Sequence, residues 1–325
     1  MVLFEARSSE ILYNVLQSLV KDGIFNESDI FLLPLNVCPI VPAIFLKAGV
    51  RFDFIDISLT TLCIDEDAIL TRIRKEKNIK GVLFVKTYGT NYDATNLFKE
   101  IKTINHDIFL IDDSCLKEPD LKYDINQSFT DLIIYSTGYS KYVDIGWGGF
   151  GFLKDSFKYH KKKLLFKKDH LKQLTSNMQA SVVNDADFHY VNNDWLGSDI
   201  YPYEGFNEYA KHIKNILPKI KKHKDSLNKI YKKELYDEIQ IKEEFSNWRF
   251  SIIVDDKEKI LKEIFRAGFF ASSHYKDIGS MYSLDCKGVK SNAQKFHSSV
   301  INLFNDFRFS DENAHKVSKL INNFI

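Results

Sequence analysis

The chain has 325 residues, of which 44% are hydrophobic and 27% charged, and its formal net charge is +1. This composition is typical of a globular protein with room for one large and one smaller domain. The balanced charge does not favour a nucleic-acid or membrane-surface partner, and no apolar run approaches the roughly 20 residues of a membrane span.

The cysteines and the N-terminus indicate the compartment. The four cysteines are scattered and form no CxxC pair, which disfavours a disulfide scaffold or a zinc site; they are Cys38, Cys63, Cys115 and Cys286. The N-terminus lacks the charged and apolar segments of a signal peptide. We therefore expect a cytoplasmic protein without a metal site.

The first predicted element is an amphipathic helix. Its apolar residues recur at helical spacing from position 11 to position 19, and Ser8 or Ser9 is a natural N-cap. The N-terminus of a helix offers free backbone N–H groups, so this segment is also suited to a phosphate.

Buried strands then alternate with helices. We predict strands at 30–34, 51–56, 81–85, 108–113 and 131–136, with helices at 36–49, 65–74 and 93–101. This alternation is typical of βα units that form a mainly parallel sheet. Ligands collect at the carboxyl ends of such strands, where Tyr88, Asp113 and Lys141 are expected.

The pattern changes after residue 152. The lysine-rich segment 154–172 predicts a solvated helix face, and 206–236 predicts one long helix or a pair interrupted at Pro218. Strands at 248–254 and 299–304, with helices at 257–267 and 312–325, indicate a compact α+β unit. We therefore predict a large α/β domain at 1–205, a helical connection at 206–240 and a small domain at 241–325.

Asp113 and Lys141 form the central chemical pair. They are 28 residues apart and follow two predicted buried strands. An ionised carboxylate can keep a pyridine nitrogen protonated, while a nearby lysine can bond to an aldehyde. Pyridoxal 5′-phosphate (PLP) chemistry needs both groups. Ser8, Ser9 and Ser136 are the expected phosphate contacts.

With these residues located, the chain resembles the DegT/DnrJ/StrS family of PLP-dependent nucleotide-sugar aminotransferases, of the three-layer fold type I. LIDDSC at 110–115 is similar to the family's I-E-D-x-A/C element, and STGYSK at 136–141 with Gly148 and Gly149 is similar to its S-F-x-x-x-K…GG signature. TYG at 87–89, RSS at 7–9, the segment 36–56 and the segment 268–275 match further family elements in the same order.

The resemblance implies roles for individual residues and for partners. Lys141 would bind the cofactor covalently, Asp113 would pair with its ring nitrogen, and Ser136 would contact its phosphate. Cys38 lies near the position of the ring-stacking residue. The resemblance also implies a homodimer, an amino donor such as glutamate, and a keto-sugar nucleotide as acceptor in surface-polysaccharide or related sugar biosynthesis.

The sequence also departs from the family pattern. Leu116 replaces a glutamine that contacts the ring hydroxyl, and Trp147 replaces a glutamate. The family usually has a few dozen residues before the phosphate loop, so we expect the parts that they supply to be absent or replaced. Asn192 and Asn193 are loose matches for an asparagine that reaches a neighbouring subunit. Basic residues expected near an anionic substrate are Arg7, Lys86, Arg308 and the run 161–168.

Two alternatives remain open at this point, and two further ones are disfavoured. The chain could be a PLP enzyme for a non-sugar carbonyl or amino-acid substrate, or a degenerate relative that binds PLP or a sugar nucleotide without catalysis. A plain nucleotide-binding module is disfavoured because neither GxGxxG nor GxxxxGK[ST] follows the first strand. Relatives with histidine at the lysine position act as dehydratases, and Lys141 disfavours that branch.

Overall fold

The computed structural model describes residues 1–282 and 290–325, so Cys286 lies outside the described residues. Its large sheet has seven strands, listed in chain order as β1 (Val2–Glu5), β2 (Ile30–Pro34), β3 (Arg51–Ile55), β4 (Ile79–Val85), β5 (Phe109–Asp113), β6 (Leu132–Ser136) and β7 (Gly149–Leu153). The spatial order is β1-β7-β6-β5-β4-β2-β3. Among the strands described for this sheet, β7 runs in the opposite direction to the other six. The predicted mainly parallel sheet is confirmed.

Helices cover both faces of this sheet. One face packs against α1 (Ser8–Lys21), α2 (Ile40–Ala48) and α5 (Lys168–Asn184), and the other packs against α3 (Glu66–Lys75) and α4 (Thr95–Ile104). The central strands are apolar on both faces because both are buried, as expected of a parallel sheet. The result is the three-layer arrangement expected from the sequence.

The C-terminal part of the chain forms a second, smaller sheet. Its strands are β8 (Phe250–Ile253), β9 (Ala271–Ser272) and β10 (Val300–Leu303), in the order β8-β10-β9. The remaining helices are α6 (Phe206–Glu234), α7 (Lys257–Arg266), α8 (Gly279–Tyr282), α9 (Asn292–His297) and α10 (Asp311–Asn322). Residues from α6, α7, α10 and the strands share one apolar core.

Several local predictions are wrong. Arg7 is the N-cap of α1, and Ser8 is its first residue. The segment 154–172 is not one helix face, because regular helix begins only at Lys168. Strands β1 and β7 were not predicted. Of the two possibilities for 206–236, the single long helix is confirmed, because α6 runs unbroken through Pro218. Within the described part of the chain, no helix has the length and apolar character needed to cross a membrane.

Candidate active site

Strand alternation separates the two carboxylates at the end of β5. Ile111 faces the core formed with α1 and α2, whereas Leu110 faces the core formed with α3 and α4. Because side chains alternate between faces, Asp113 lies on the α1 side and Asp112 on the other. Ile134 shares the α1-side core, so Ser136, two residues later on β6, also faces that side. Asp113 and Ser136 therefore lie at the same edge of the same face.

Asp113 is fixed by the turn that follows its strand. Its Oδ1 accepts a hydrogen bond from the backbone N–H of Cys115 at 3.0 Å, and the residue is 7% exposed. Tyr275 of the smaller unit lies nearby. Burial raises the pKa of the Tyr275 phenol, and the charges of Cys38 and Asp113 raise it further. The carboxylate thus lies in a largely water-free site with an aromatic wall.

Lys141 follows β6 in a loop and is partly buried. No hydrogen bond or ion pair engages its amine among the residues that the structure describes. Its charge reaches Cys115, which follows Asp113, and His274 of the smaller unit. Burial, then Arg249 and, more weakly, Lys141 lower the pKa of His274 to about 4. An unpaired lysine amine near a buried carboxylate is available for covalent chemistry.

The N-terminus of α1 forms the third side of the site. Arg7 makes no side-chain cap hydrogen bond, and the N–H groups of a helix's first residues have no intrahelical acceptor. Gly149 brings this terminus against the strand ends: a Cβ there would lie 2.1 Å from the backbone N of Ser8. Gly149 is paired with Ser136 in the sheet. Ser8 and Ser136 therefore lie on either side of the same glycine.

The second glycine of the pair serves a different contact. Gly148 has φ +95°, and a Cβ at this residue would lie 2.6 Å from the Tyr209 ring. The Thr137 hydroxyl contacts the Trp147 carbonyl and the Tyr209 hydroxyl, both at 2.6 Å. The first turns of α6 are thereby held against the loop between β6 and β7. Neither residue was expected at the site: Thr137 stands inside the STGYSK segment but was given no role, and Tyr209 stands in no motif.

The smaller unit supplies a wall of aromatic side chains. The Trp248 indole donates to the Ser140 carbonyl at 2.6 Å, one residue before Lys141. Its ring stacks on Tyr275 with centroids 5.9 Å apart. The Tyr88 hydroxyl donates to the His274 carbonyl and accepts from the Tyr275 N–H. The sequence did not identify Trp248 as a site residue, because its place in a predicted strand indicated only that its side chain would be buried.

Other sequence-predicted residues have different surroundings. Cys38 is partly exposed just before α2, close enough to Tyr275 and Tyr282 to affect both of them electrostatically. Ser9 is the second residue of α1 and partly exposed. Leu116 is buried with Tyr88 in an apolar cluster and offers no polar side-chain group.

The expected basic residues are mostly paired elsewhere. Lys86 is buried on the opposite face, 3.7 Å from Asp112, so the structure contradicts its expected place near a substrate of the Asp113 site. Arg308 forms ion pairs with Asp144 and Asp306. In the basic run, Lys161 pairs with Glu5 and Lys167 with Asp194.

Asn192 and Asn193 accept hydrogen bonds from Lys47. Arg7 packs over the Phe166 ring at 5.2 Å.

The donor set fits PLP better than a metal. A carboxylate, an unpaired lysine, two hydroxyls and a helix N-terminus meet at one edge, and the close approach at Gly149 leaves no room for a side chain there. These are the groups that a pyridine nitrogen, an aldehyde and a phosphate require. No group of three or more His, Cys, Asp or Glu side chains within residues 1–282 and 290–325 could hold a metal ion.

Comparison with solved structures supports this fold. Similar structures include a DegT DnrJ EryC1 StrS aminotransferase from Brucella abortus (TM-score 0.66, 15% identity, covering 99% of this chain and 85% of that one). They also include the sugar aminotransferase CalS13 from Micromonospora echinospora (TM-score 0.67, 16% identity, covering 99% of this chain and 87% of that one). A third is Helicobacter pylori PseC, an aminotransferase involved in the biosynthesis of pseudoaminic acid (TM-score 0.68, 16% identity, covering 99% of this chain and 86% of that one).

No protein-family model matches the sequence, and no curated protein matches it. The likeness therefore lies in the three-dimensional arrangement and extends over almost the whole chain. The predicted fold is confirmed: this chain has the fold of these aminotransferases.

Proposed function

We propose that the protein is a PLP-dependent aminotransferase that transfers an amino group from an amino acid such as glutamate to a keto-sugar nucleotide. One observation carries the proposal. Asp113, Ser136, the unpaired Lys141 and the N-terminus of α1 lie at the same edge of one sheet face, whereas Asp112 is engaged by Lys86 on the other. The fold shared with sugar aminotransferases supports the reaction class.

In this proposal, Asp113 accepts a hydrogen bond from the protonated ring nitrogen, and its Cys115 contact holds it in place. The first N–H groups of α1, with the hydroxyls of Ser8, Ser9 and Ser136, bind the phosphate. Cys38 lies at the side of the ring. When bound, PLP supplies an electron sink for the carbon that carries the amino group.

Lys141 has two roles in the proposal. Its amine attaches the cofactor in the resting enzyme, and once released it moves the proton at the substrate carbon that carries the amino group. Trp248 positions the loop by its hydrogen bond to the Ser140 carbonyl. The wall formed by buried Tyr88 and Trp248 and half-buried Tyr275 excludes water from the reacting atoms.

The finer assignments rest on the resemblance of the sequence to the family. We propose a cytoplasmic homodimer that acts in surface-polysaccharide or related sugar biosynthesis. We also retain the proposed division into a large domain at 1–205, a connection at 206–240 and a small domain at 241–325.

The acceptor can be tested directly. The aminated cofactor form of the full chain is mixed with UDP-, dTDP- and GDP-linked keto sugars, and separately with simple 2-oxo acids, while the visible absorbance of the cofactor is followed. We expect the original spectrum to return with a sugar nucleotide. Return only with 2-oxo acids would favour the non-sugar alternative, and no return with either would favour a binding protein.

The matched control is Lys141→Ala. It should remove both the lysine-linked absorbance and turnover while leaving the thermal unfolding curve close to that of the wild type, since the amine makes no ion pair among the described residues. Normal transamination by this variant would contradict the role of Lys141.

A further inference from the structure

A group of three cations, two of them buried, lies beside the Lys141 loop. Lys224 and Arg249 are 2% and 3% exposed, and Arg308, which is exposed, lies next to them. The carboxylates that act on this group are Asp144 and Asp306. Buried charges are normally paired, because an unpaired charge loses its hydration without compensation. The partners of each cation therefore indicate where an anion is missing.

Two of the three cations are satisfied. Arg308 forms ion pairs with both Asp144 and Asp306. Lys224 donates to the Trp248 carbonyl and to the Asn305 side-chain oxygen, both at 2.8 Å. Burial lowers the pKa of Lys224 to about 7, so it is not obliged to carry a full charge at neutral pH.

Arg249 is the cation that lacks a counter-ion. It has no carboxylate partner in an ion pair among the described residues, and its Nε is buried without a hydrogen-bond partner. Nη1 donates to the Ser272 hydroxyl. The guanidinium is held between the Trp248 and Phe304 rings, at 4.4 and 4.0 Å from their centroids. The plane is fixed, and the edge that carries Nε is the unsatisfied one.

This edge belongs to the candidate active site. Trp248, which stacks on Arg249, donates to the carbonyl of Ser140, the neighbour of Lys141. The charges of Arg249 and Lys141 both act on His274, whose ring lies 5.6 Å from that of Trp248. Arg249 and Asp113 also both act on Tyr275. Arg249 and Lys141 therefore both lie close enough to His274 for their charges to act on its ring.

We propose that Arg249 binds a carboxylate of the amino-acid donor, and of the 2-oxo acid that the donor becomes. A planar guanidinium edge matches a planar carboxylate in a bidentate pair, and an anion there would supply the missing counter-charge. The two aromatic rings hold the guanidinium plane in one orientation, so its Nε edge can accept a flat carboxylate in the same plane. The inference rests on the proposed function, since it assigns the donor's subsite.

The test measures binding without turnover. The cofactor-loaded full chain is titrated by calorimetry with 2-oxoglutarate and with its uncharged dimethyl ester. Loss of a charge-assisted pair should weaken 2-oxoglutarate binding to Arg249→Met by roughly tenfold to hundredfold, with ester binding unchanged. Because Trp248 stacks on Arg249, 2-oxoglutarate should also change tryptophan fluorescence in the wild type and not in the variant.

Arg266→Gln is the charge-matched control, because it also removes one positive charge. Arg266 is exposed, and its ion-pair partner among the described residues is Glu263. This variant should bind 2-oxoglutarate with wild-type affinity. If Arg249→Met does not fold, Arg249→Lys keeps the charge and loses the planar edge, and should still bind at least about tenfold more weakly. Wild-type affinity in a folded Arg249 variant would overturn the inference. Failure of every keto-sugar acceptor would refute the proposed function and leave this binding result unaffected.

Discussion

Gly149→Ala tests whether the approach of α1 to the strand ends builds the phosphate site. The added Cβ would lie 2.1 Å from the backbone N of Ser8, 2.5 Å from its Cα and 2.7 Å from the carbonyl carbon of Arg7. Contacts below 3.0 Å are essentially never seen for a Cβ, so the backbones must separate by about 0.9 Å. Both partners are backbone, so no side-chain rotation relieves the clash.

We expect two effects. Overpacking of a tight contact costs about 1–3 kcal/mol, which should appear as a lower midpoint in urea denaturation. The displaced N–H groups of Ser8 and Ser9 should also bind PLP more weakly, by roughly tenfold or more for each hydrogen bond to the charged phosphate that is lost. Cofactor affinity is measured by titrating the cofactor-free protein with PLP and following absorbance.

Gly205→Ala is the matched control, since a Cβ there meets nothing within 4 Å and the backbone is extended at φ −172°. This variant should keep wild-type cofactor affinity and lose about 0.5–1 kcal/mol, because alanine is a poorer N-cap than glycine. If Gly149→Ala bound PLP as tightly as Gly205→Ala, α1 would not form the phosphate site and the reasoning would fail.

Two further predictions concern carboxylates. Asp113→Asn should lower kcat by about two to three orders of magnitude, because a neutral amide cannot hold the ring proton; Asp112→Asn should mainly lower stability, and a larger kcat loss for Asp112→Asn would reverse the assignment. Burial and then Glu5 raise the pKa of Glu10 from 4.5 to about 7. The folded state therefore holds this proton more tightly than the unfolded chain, and the Glu10 contribution to stability falls from about pH 4.5 upwards and is lost above about pH 7. Glu10→Gln should flatten the urea-measured stability between about pH 4.5 and pH 7; an unchanged slope would contradict the Glu10 shift.

The sequence was most informative where local pattern and burial agree. Strands β4, β5 and β6 are short apolar runs buried on both faces, so composition alone indicates them. Strand alternation also requires Asp113 and Asp112 to lie on opposite faces, and in the structure Asp112 contacts Lys86 away from Asp113.

Local pattern failed where a segment depends on distant partners. Strand β7 has the sequence GFGFL, and glycine weakens any strand prediction. It forms because β1 and β6 flank it, and its glycines are needed for backbone contacts such as Gly151 with the Ile133 carbonyl. The segment 154–167 contains enough apolar and basic residues to suggest a helix, yet its side chains contact α1 and the sheet from an irregular backbone.

The sequence by itself determined the α/β class, the edge of the sheet where chemistry is expected and the pair Asp113 and Lys141, because strand period and strand order follow from nearby residues. Only the tertiary structure decided which charges remain without partners. Lys86 and Arg308 were expected as substrate contacts from the sequence and Arg249 was not, but Lys86 and Arg308 find carboxylates through folding and Arg249 finds none among the described residues. Ion pairing depends on distances between residues far apart in the chain, which no local pattern contains.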